Sequence, residues 1–394
     1  MAIGQHFSSL PPLSLYVHIP WCVRKCPYCD FNSHEIETSL PEADYVNALI
    51  GDLERDAVYA QGRKLHSIFI GGGTPSLFSA AALQRVLGHS ETLLGFEDNI
   101  EITLEANPGT VEQRRFRDYR DIGINRLSIG IQSLNDVQLR QLGRIHSAAE
   151  ANTAVNAARA AGFANINLDL MHGLPQQSVA DAAADLAQLM ALKPEHISWY
   201  QLTIEKNTVF YRRPPVLPND DLLGLIEEQG QQQLAAQGYQ QYEISAYGQT
   251  GFQARHNNNY WEFGDYLGIG AGAHGKVTSL LEQRVLRSQK TRLPQHYLTT
   301  QNSIPQSPWT AVEPVNLPLE FMMNTLRLTQ GVPAALYAQR TGLTLAELEP
   351  MLKSLRAREL LVDDNSRLQT TPLGRRFLND VLAPFLNIDR ASQR

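Results

Sequence analysis

The chain contains very little cysteine, and this scarcity limits what the protein can be. Among its 394 residues only Cys22, Cys26 and Cys29 are cysteines, so an even-numbered disulfide framework of a secreted protein is excluded. No apolar run approaches the roughly 20 residues of a membrane-spanning helix. The first residues, MAIGQHFSSLPP, lack the charged and apolar regions of a secretory signal. With a net charge of −6, no general affinity for nucleic acid is implied. The expected location is cytoplasmic, without a nucleic-acid partner.

The three cysteines that are present lie within eight residues, in the pattern CxxxCxxC. Structural cysteines would be scattered through a core, so this clustering indicates a metal site. Three thiolates can hold three irons of a [4Fe–4S] cluster and leave the fourth iron open to a ligand that is not protein. The alternative is a Cys3His zinc site completed by His18 or His34.

Six strand patterns alternate with six helical patterns in the first half of the chain. The predicted strands are 14–18, 66–70, 100–105, 126–131, 165–170 and 196–202. The predicted helices are roughly 42–60, 79–94, 110–121, 134–142, 148–161 and 178–191. Repeated strand–helix units predict an α/β fold with a parallel sheet and helices outside it. Six right-handed units predict a partial (β/α)6 barrel, with the cysteines directly after its first strand.

Polar or glycine-rich segments follow the predicted strands. In a barrel of this kind the functional residues lie at the carboxyl ends of the strands. These segments contain Gly71–Pro75, Glu105, Asn107, Gln132, Ser133 and Asp169. Glycine lets a backbone approach a ligand closely and expose its N–H groups. Capping of the following helices is the alternative, and Asn107 and Ser133 fit it well. Glu105, Gln132 and Asp169 fit it poorly and are predicted to be functional.

The cysteine motif, with Tyr28 directly before the last cysteine, resembles that of the radical S-adenosylmethionine (SAM) enzymes. The resemblance implies a partial barrel whose cluster binds the amine and carboxylate of SAM at its open iron. It also implies an electron donor such as a flavodoxin or ferredoxin. The electron then cleaves SAM to methionine and a 5′-deoxyadenosyl radical.

The ordered segments HIPWCxxxCxYC, GGGTPS, EANPG, GIQS and DLMHGLP resemble one branch of this superfamily. That branch contains oxygen-independent coproporphyrinogen III oxidases and the HemW family of heme chaperones, and the match runs from about residue 14 to the end. By this resemblance Tyr16, Gly72 and Glu105 contact the cluster-bound SAM. The positions that hold a second SAM in the oxidase correspond to Tyr28, Gly73, Thr74, Gln132, Arg144 and Asp169.

Two features distinguish the chaperones from the oxidases. The oxidase motif continues with a further cysteine, and that position here is Phe31. The segment 256–261, HNNNYW, looks like the HNxxYW signature of the chaperones. A neutral imidazole such as that of His256 is a common heme ligand, and Tyr260 and Trp261 offer flat apolar surface. The alternative is a loop histidine bonded to backbone with core aromatics beside it.

A second candidate heme ligand is His274, which lies in the glycine-rich segment 268–275. The spacing GxGxG lacks the features of a dinucleotide-binding fingerprint. We therefore interpret this segment as a strand, a tight turn with close backbone packing near the site, and a second strand.

The predicted domains are an N-terminal extension (1–13), the barrel (14–300), a linker (301–318) and a small winged-helix-like α+β domain (319–394). Within that domain we expect a helix over 343–361, a hairpin turning at Asp364-Asn365 and a helix over 372–382. Residues 311–394 contain ten Lys or Arg and nine Asp or Glu. This segment therefore lacks the basic face that DNA binding requires.

Together these features predict a heme chaperone that binds heme, a [4Fe–4S] cluster and SAM. It would pass heme to an acceptor protein, such as a membrane-bound respiratory protein, and no catalytic residue is assigned. The alternative is an oxidase that decarboxylates two propionates of coproporphyrinogen III to vinyl groups. A radical SAM enzyme acting on another substrate is a third possibility.

Overall fold

The computed structural model describes residues 5–37, 39–299 and 309–387. In chain order, the strands of this part are β1 (Leu13–Ile19), β2 (Trp21–Cys22), β3 (His34–Glu35), β4 (Leu65–Gly72), β5 (Phe96–Ala106), β6 (Arg126–Gln132), β7 (Ile166–His172), β8 (His196–Gln201), β9 (Gln240–Glu243), β10 (Ala246–Gly248), β11 (Asp265–Ile269), β12 (His274–Ser279), β13 (Arg284–Gln289), β14 (Thr310–Ala311), β15 (Val332–Pro333) and β16 (Arg367–Leu368).

The α-helices of the same part are α1 (Glu42–Asp56), α2 (Ala80–Leu94), α3 (Thr110–Asp121), α4 (Asp136–Gln141), α5 (Ala148–Ala160), α6 (Val179–Ala191), α7 (Val209–Arg212), α8 (Asp220–Ala236), α9 (Arg255–Trp261), α10 (Pro294–Thr299), α11 (Leu317–Thr325), α12 (Ala335–Thr341), α13 (Glu349–Ala357), α14 (Pro372–Arg376) and α15 (Leu378–Leu382). Within the described residues, none of them combines the length and the apolar character that crossing a membrane requires.

One large sheet organises the molecule, with the strand order β14-β13-β12-β11-β1-β4-β5-β6-β7-β8-β10-β9. Its middle is the predicted series of six parallel strands, β1, β4, β5, β6, β7 and β8. The predicted α/β class and the repeated strand–helix units are therefore confirmed. The sheet also continues beyond β1 through the parallel strand β11 and the antiparallel strands β12, β13 and β14.

Three of the helices between the parallel strands, α2, α5 and α6, begin at serine caps. Ser147 and Ser178 each form a capping box with an acidic residue three positions later, and the Ser79 hydroxyl accepts a hydrogen bond from the amide of Ala82. Each satisfies amides that have no partner inside the helix. The apolar helix faces then pack on fully buried strand residues such as Ile70 and Leu168.

The C-terminal part has its own apolar cluster, which includes Phe321, Tyr337 and Leu352 together with Phe263 and Val285 from the sheet region. This α+β arrangement is as predicted, but its elements are shorter than expected. The helix expected over 343–361 is a 3-10 turn over Leu345–Leu348 followed by α13.

The hairpin expected over 361–371 is reduced to one bridge between Leu361 and Thr370. One of its strands, β16, pairs instead with β15. The helix expected over 372–382 is interrupted at Phe377, which separates α14 from α15.

The chain segments at the predicted domain boundaries are only partly described. Residues 300–308, which include the first eight residues of the predicted linker, lie outside the described residues, as do residues 1–4 and 388–394. Beyond them, β14 adds to β13 and α11 begins at Leu317. In the N-terminal extension, Phe7 packs into the C-terminal apolar cluster. The boundaries at residues 13, 300 and 318 remain predictions.

Candidate functional site

The cysteines lie in a loop over residues 20–35, called the cysteine loop below, that directly follows β1. Its two ends are joined because β2 pairs with β3, Trp21 opposite His34 and Cys22 opposite Glu35. The Lys25 amide donates to Oε1 of Glu35 at 2.9 Å, and Lys25 Nζ donates to two carbonyl oxygens of the same loop. The loop therefore has a closed base that holds the thiols in place.

All three thiols line one cavity of about 440 Å³ at the carboxyl end of the parallel strands, called the cysteine cavity. They are free thiols, with Cys22 buried and the other two partly exposed. Cys29 Sγ lies 3.6 Å from the Ser33 hydroxyl, and Nη1 of Arg144 lies 3.6 Å from Cys26 Sγ. Burial raises the pKa of Cys22, while a hydrogen bond from Thr74 opposes that shift.

This arrangement fits a [4Fe–4S] cluster. Within the described part of the chain, no three His, Cys, Asp or Glu side chains converge on a position where they could ligate a single ion. A cube instead takes one thiolate on each of three irons. Three separate thiols that line one cavity meet that requirement and leave room in the same cavity for a ligand of the fourth iron.

The two histidines considered for a zinc site are occupied elsewhere. His18 is hydrogen-bonded at both ring nitrogens, to the Tyr16 hydroxyl at 2.9 Å and to the Asn32 carbonyl oxygen at 2.8 Å. His34 Nε2 lies 3.3 Å from Oδ1 of Asn32. The structure therefore uses these imidazoles to hold the cysteine loop.

The glycine turn after β4 packs directly on the cysteine loop. A Cβ on Gly73 would lie 2.5 Å from the Trp21 carbonyl oxygen and 3.0 Å from Cys22 Sγ, so no larger residue fits without movement. Gly72 has a φ of +119°, which favours glycine.

The amides of this turn were expected to be exposed, but the structure shows otherwise. Gly72 N donates to Glu105, Gly73 N donates to the Ile19 carbonyl oxygen, and Thr74 N donates to the Trp21 carbonyl oxygen. The close approach expected of the glycines is therefore made to the cysteine loop itself, and it fixes the turn against the thiols.

Two carboxylates face the cysteine cavity from neighbouring parts of the sheet. Glu105, near the end of β5, accepts the amide of Gly72 at 3.0 Å. Burial and the nearby charge of Asp169 raise the pKa of Glu105 to about 8. Asp169 accepts hydrogen bonds from Asn167 and Ser128, and burial raises its pKa as well. These two carboxyl groups can therefore accept hydrogen bonds inside the cavity, and Glu105 can also hold a proton near neutral pH.

Gln132 ends β6 in an unusual conformation. Its φ is +69°, in the left-handed region, and the pairing of β6 with β7 shifts register between Gly130 and Gln132. The Tyr200 hydroxyl donates to Oε1 of Gln132 at 2.7 Å. Strained backbone held by its surroundings is concentrated at functional sites, and here it directs an amide into the cavity.

Arg144 connects the cysteine loop to the strand ends. Its Nη2 donates to the Gly130 carbonyl oxygen and to Oδ1 of Asn107, both at 2.7 Å, while Nη1 faces Cys26. Asn107 in turn donates to Thr74 Oγ1 at 3.0 Å. The helix-capping interpretation of Asn107 is wrong, because the N-cap of α3 is Gly109.

Ser133 does not cap α4 itself but supports the residue that does. The N-cap of α4 is Asn135, whose amide donates to the Ser133 hydroxyl at 3.1 Å. Ser133 in turn donates to Asp185 at 2.6 Å.

The structure brings together all but one of the residues predicted to contact SAM. The residues that line the cysteine cavity are Tyr28, Gly72, Gly73, Thr74, Glu105, Gln132, Arg144 and Asp169. The exception is Tyr16, which lines a neighbouring cavity of about 470 Å³, called the aromatic cavity, together with Phe69, Tyr260 and Tyr266. Phe31, Gly72 and Glu105 line both cavities.

The HNNNYW segment forms helix α9 rather than a loop. His256 is 2% exposed, and its Nδ1 lies 3.3 Å from the Ser67 hydroxyl. Its ring centroid lies 5.1 Å from that of Phe69 and 4.7 Å from that of Tyr260. Tyr260 lines the aromatic cavity, so His256 lies behind the wall of that cavity.

Trp261, at the end of α9, faces away from the two other candidates. It packs partly buried against the C-terminal apolar cluster, with the Arg327 guanidinium 4.3 Å from its ring centroid. The structure therefore does not bring His256, Tyr260 and Trp261 together on one surface.

The sequence did not identify several residues of the site. Ser128, Met171 and Tyr200 also line the cysteine cavity. These residues belong to strand patterns in which such side chains are as common in a core as in a site. The single useful signal was their position near the carboxyl ends of strands.

The comparisons with known proteins agree with this geometry. A family model described as Radical SAM superfamily matches residues 16–189, and one described as HemN C-terminal domain matches residues 312–377. The chain is similar to the solved structure of coproporphyrinogen III oxidase (HemN) from Escherichia coli. The TM-score is 0.79 and the identity 23%, over 95% of this chain and 90% of that one. At this identity the likeness shows the fold.

Curated relatives are closer in sequence. Heme chaperone HemW of Haemophilus influenzae is 52% identical over 96% of this chain and 98% of the relative. Heme chaperone HemW of Escherichia coli is 52% identical over 96% and 99%, and that of Bacillus subtilis 33% over 95% and 99%. The superfamily implies a [4Fe–4S] cluster and SAM as cofactors. The chain therefore belongs to the HemW family of heme chaperones, within the radical SAM superfamily.

Proposed function

We propose that this protein binds heme, a [4Fe–4S] cluster and SAM, and that it transfers the heme to an acceptor protein. The observation that carries the proposal is the pair of adjoining cavities, one lined by three thiols and the other by aromatic rings. The curated relatives that share about half of its residues are named heme chaperones. The first cavity suits a cluster with its ligand, and the second suits part of a flat macrocycle.

In the cysteine cavity, Cys22, Cys26 and Cys29 would hold the cluster. Arg144, whose Nη1 lies 3.6 Å from Cys26 Sγ, stabilises the negative charge of that thiolate. Because hydrogen bonds and charges beside the sulfurs tune a cluster, the positive charge of Arg144 would favour the reduced, more negative state of the cluster. When bound, the cluster supplies an electron and an open iron for SAM.

The remaining walls of that cavity would bind SAM. Gly72 and Gly73 keep the turn close to the thiols, and Glu105 and Asp169 offer carboxylates to an amine or to ribose hydroxyls. Thr74, Gln132 and Tyr28 add hydroxyl and amide groups on the same cavity. Tyr16 would act from the aromatic cavity, where its hydroxyl bonds to His18. Since these positions share one cavity, they support a single SAM site more directly than two.

The heme is cargo in this proposal. The acceptor would be a protein such as a membrane-bound respiratory protein, and a flavodoxin or ferredoxin would reduce the cluster. A cytoplasmic location follows because the three cluster thiols must stay reduced. The HNNNYW helix contributes to the heme region through Tyr260, with His256 behind it.

Titration of hemin into anaerobically reconstituted protein tests the function. We expect a saturable Soret band at about one heme per chain, followed by transfer of that heme to an added apo-hemoprotein. Absence of saturable binding contradicts the chaperone function. Incubation with coproporphyrinogen III, SAM and a reductant then checks the oxidase, because loss of carboxyl groups as carbon dioxide would establish that activity.

Substitution of one thiol tests the cluster site. In Cys26→Ala one of the three thiolate-bound irons loses its ligand. We therefore expect loss of the brown absorbance and of most of the bound iron and sulfide. Iron and sulfide analysis after identical reconstitution measures this loss. Asp121→Ala, at an exposed position of α3, is the matched control. A full cluster in Cys26→Ala would refute the ligand assignment.

A further inference from the structure

The aromatic cavity contains a histidine that the proposed function has not used. Its walls come from β1, β4, β5, α9, β11, β12, β13 and the cysteine loop, and they include the rings of Tyr16, Phe69, Tyr260 and Tyr266. Rings on several elements facing one space of about 470 Å³ are suited to a flat apolar ligand. A metal in such a ligand also needs an axial donor.

Three histidines lie in or behind this cavity, and only one has an available ring. His18 is hydrogen-bonded at both nitrogens. His256 is buried behind the rings of Phe69 and Tyr260. A ligand in the cavity would therefore reach it only if these rings moved. His274 lines the cavity, its side chain is exposed, and its ring makes no hydrogen bond or ion pair among the described residues.

The backbone presents His274 at a fixed position. It is the first residue of β12 and pairs with Gln289 of β13. The preceding turn is held by Gly270 and Gly272, whose φ values are +103° and +80°. The Asn32 side chain, which donates to the Ala271 carbonyl oxygen, joins this turn to the cysteine loop.

A cation lies at the same cavity without an acidic partner. The Arg292 side chain lines the cavity and makes no ion pair within the described part of the chain. Its neighbour Arg287 is already paired, with Glu320 at 2.6 Å. Arg292 is therefore available for a carboxylate on the ligand, and heme carries two propionates.

We propose that the aromatic cavity is the heme site, with His274 as the axial ligand, Tyr260 and Tyr266 against the porphyrin, and Arg292 binding a propionate. This inference rests on the proposed function and assigns a site to it. Partial burial, together with the charges of Arg287 and Arg292, lowers the pKa of His274.

The test compares histidine variants by hemin titration, using absorbance and electron paramagnetic resonance of the ferric complex. In His274→Ala we expect a shifted Soret band, loss of the histidine-ligated signal and weaker binding. Loss of outer-shell partners alone costs about 10–100-fold in metal affinity, so loss of the ligand should cost at least about tenfold. Added imidazole should restore the wild-type spectrum of His274→Ala.

Two further variants separate ligation from packing. His256→Ala should keep the wild-type spectrum, because that ring supports the wall and does not reach the iron. Arg292→Gln should weaken hemin binding about tenfold while leaving the binding of the hemin dimethyl ester unchanged. His66→Ala, at the amino end of β4 and paired with Glu97, is the control for removal of a histidine.

The possible outcomes distinguish the assignment of the heme site from the chaperone function on which it rests. If wild-type protein binds heme and His274→Ala keeps its spectrum and affinity, the site assignment is overturned and the chaperone function stands. Loss of the signal in His256→Ala instead would transfer ligation to α9 and also overturn the assignment. If the wild-type protein shows no saturable binding, the proposed function itself fails.

Discussion

At the scale of single residues, Glu105 is the most consequential side chain outside the cysteine loop. It lines both cavities and accepts the Gly72 amide. Burial and the charge of Asp169 raise its pKa to about 8. A carboxyl with that pKa changes its protonation state near pH 8. It can therefore donate a hydrogen bond in one state and accept in the other.

The raised pKa of Glu105 predicts a loss of stability as pH rises. Its folded-state pKa lies above its ordinary value of 4.5, so its stabilising contribution is complete below that value and is lost as pH rises through about 8. Glu105→Gln removes this dependence. At pH 9 we expect the variant without cofactors to be more stable than wild type, by on the order of a few kcal/mol.

Urea unfolding between pH 5 and pH 9 measures this difference. Asp169 shifts in the same direction, so part of the decline should remain in Glu105→Gln. Glu97→Gln, an exposed position on β5, should follow wild type. Parallel stability profiles for wild type and Glu105→Gln would disprove the link to this carboxyl.

The residues of the site could be predicted from sequence only where position and chemistry agreed. Glu105 and Asp169 were identified because helix capping poorly explains a carboxylate within or at the end of an apolar strand, which favours a functional role. Asn107 was assigned to capping because asparagine before a helix usually caps it. Its bonds to Thr74 and Arg144 join residues 33 and 37 positions away in sequence. No local pattern reveals such partners.

At the scale of elements, the glycine turn after β4 forms a support for the cysteine loop. In Gly73→Ala the new Cβ would meet the Trp21 carbonyl oxygen and Cys22 Sγ. We expect the displaced thiol to lower the iron and sulfide bound after reconstitution by half or more, which chemical analysis measures. The same variant should lose stability by about 1–3 kcal/mol through overpacking.

A matched glycine substitution provides the control. Gly88 lies on the exposed side of α2, where an added Cβ meets nothing within 4 Å. Gly88→Ala should keep the full cluster and gain about 0.5–1 kcal/mol from helix propensity. Equal cluster content in the two variants would show that the turn does not support the thiols.

Elements could be predicted where a local pattern determines them. The strands β6 and β7 are buried almost throughout, and such apolar runs are recognisable in sequence. The helix α9 was not recognised, because HNNNYW has weak helix formers and no apolar period. It is stabilised by tertiary contacts, including Glu101 Oε1 accepting the amides of Arg255 and His256. The extension over β12 to β14 depends likewise on pairing between distant segments.

At the scale of the whole molecule, a buried ionic network joins three parts of the chain. Asp265 of β11 accepts Arg63 Nη1 at 2.7 Å and Lys276 Nζ at 3.0 Å. Arg63 also donates to the Pro11 carbonyl oxygen of the N-terminal segment. Lys276 Nζ lies 4.2 Å from the ring centroid of Phe263, which belongs to the C-terminal apolar cluster. One carboxylate therefore holds these parts together.

Removal of that carboxylate should destabilise the whole protein. Asp265→Ala leaves Lys276 buried with only carbonyl oxygens as partners. We expect a loss of about 3–5 kcal/mol in the free energy of unfolding, measured by urea denaturation. Asp121→Ala removes a carboxylate that is exposed and 4.0 Å from Arg117, so its effect should stay under about 0.5 kcal/mol. Similar losses in both would refute the role of the network.

The shared wall formed by Gly72 and Glu105 has a thermodynamic consequence. Glu105 lines both cavities, so a ligand in the cysteine cavity that changes its protonation or its hydrogen bond also changes the carboxyl group that a ligand in the aromatic cavity meets. Linkage makes this coupling reciprocal: the factor by which SAM alters heme affinity equals the factor by which heme alters SAM affinity. With a proton as the third partner, the same wall makes both affinities depend on pH. Under the proposed function, the two neighbouring cavities would allow the chain to hold heme in one state and release it in another.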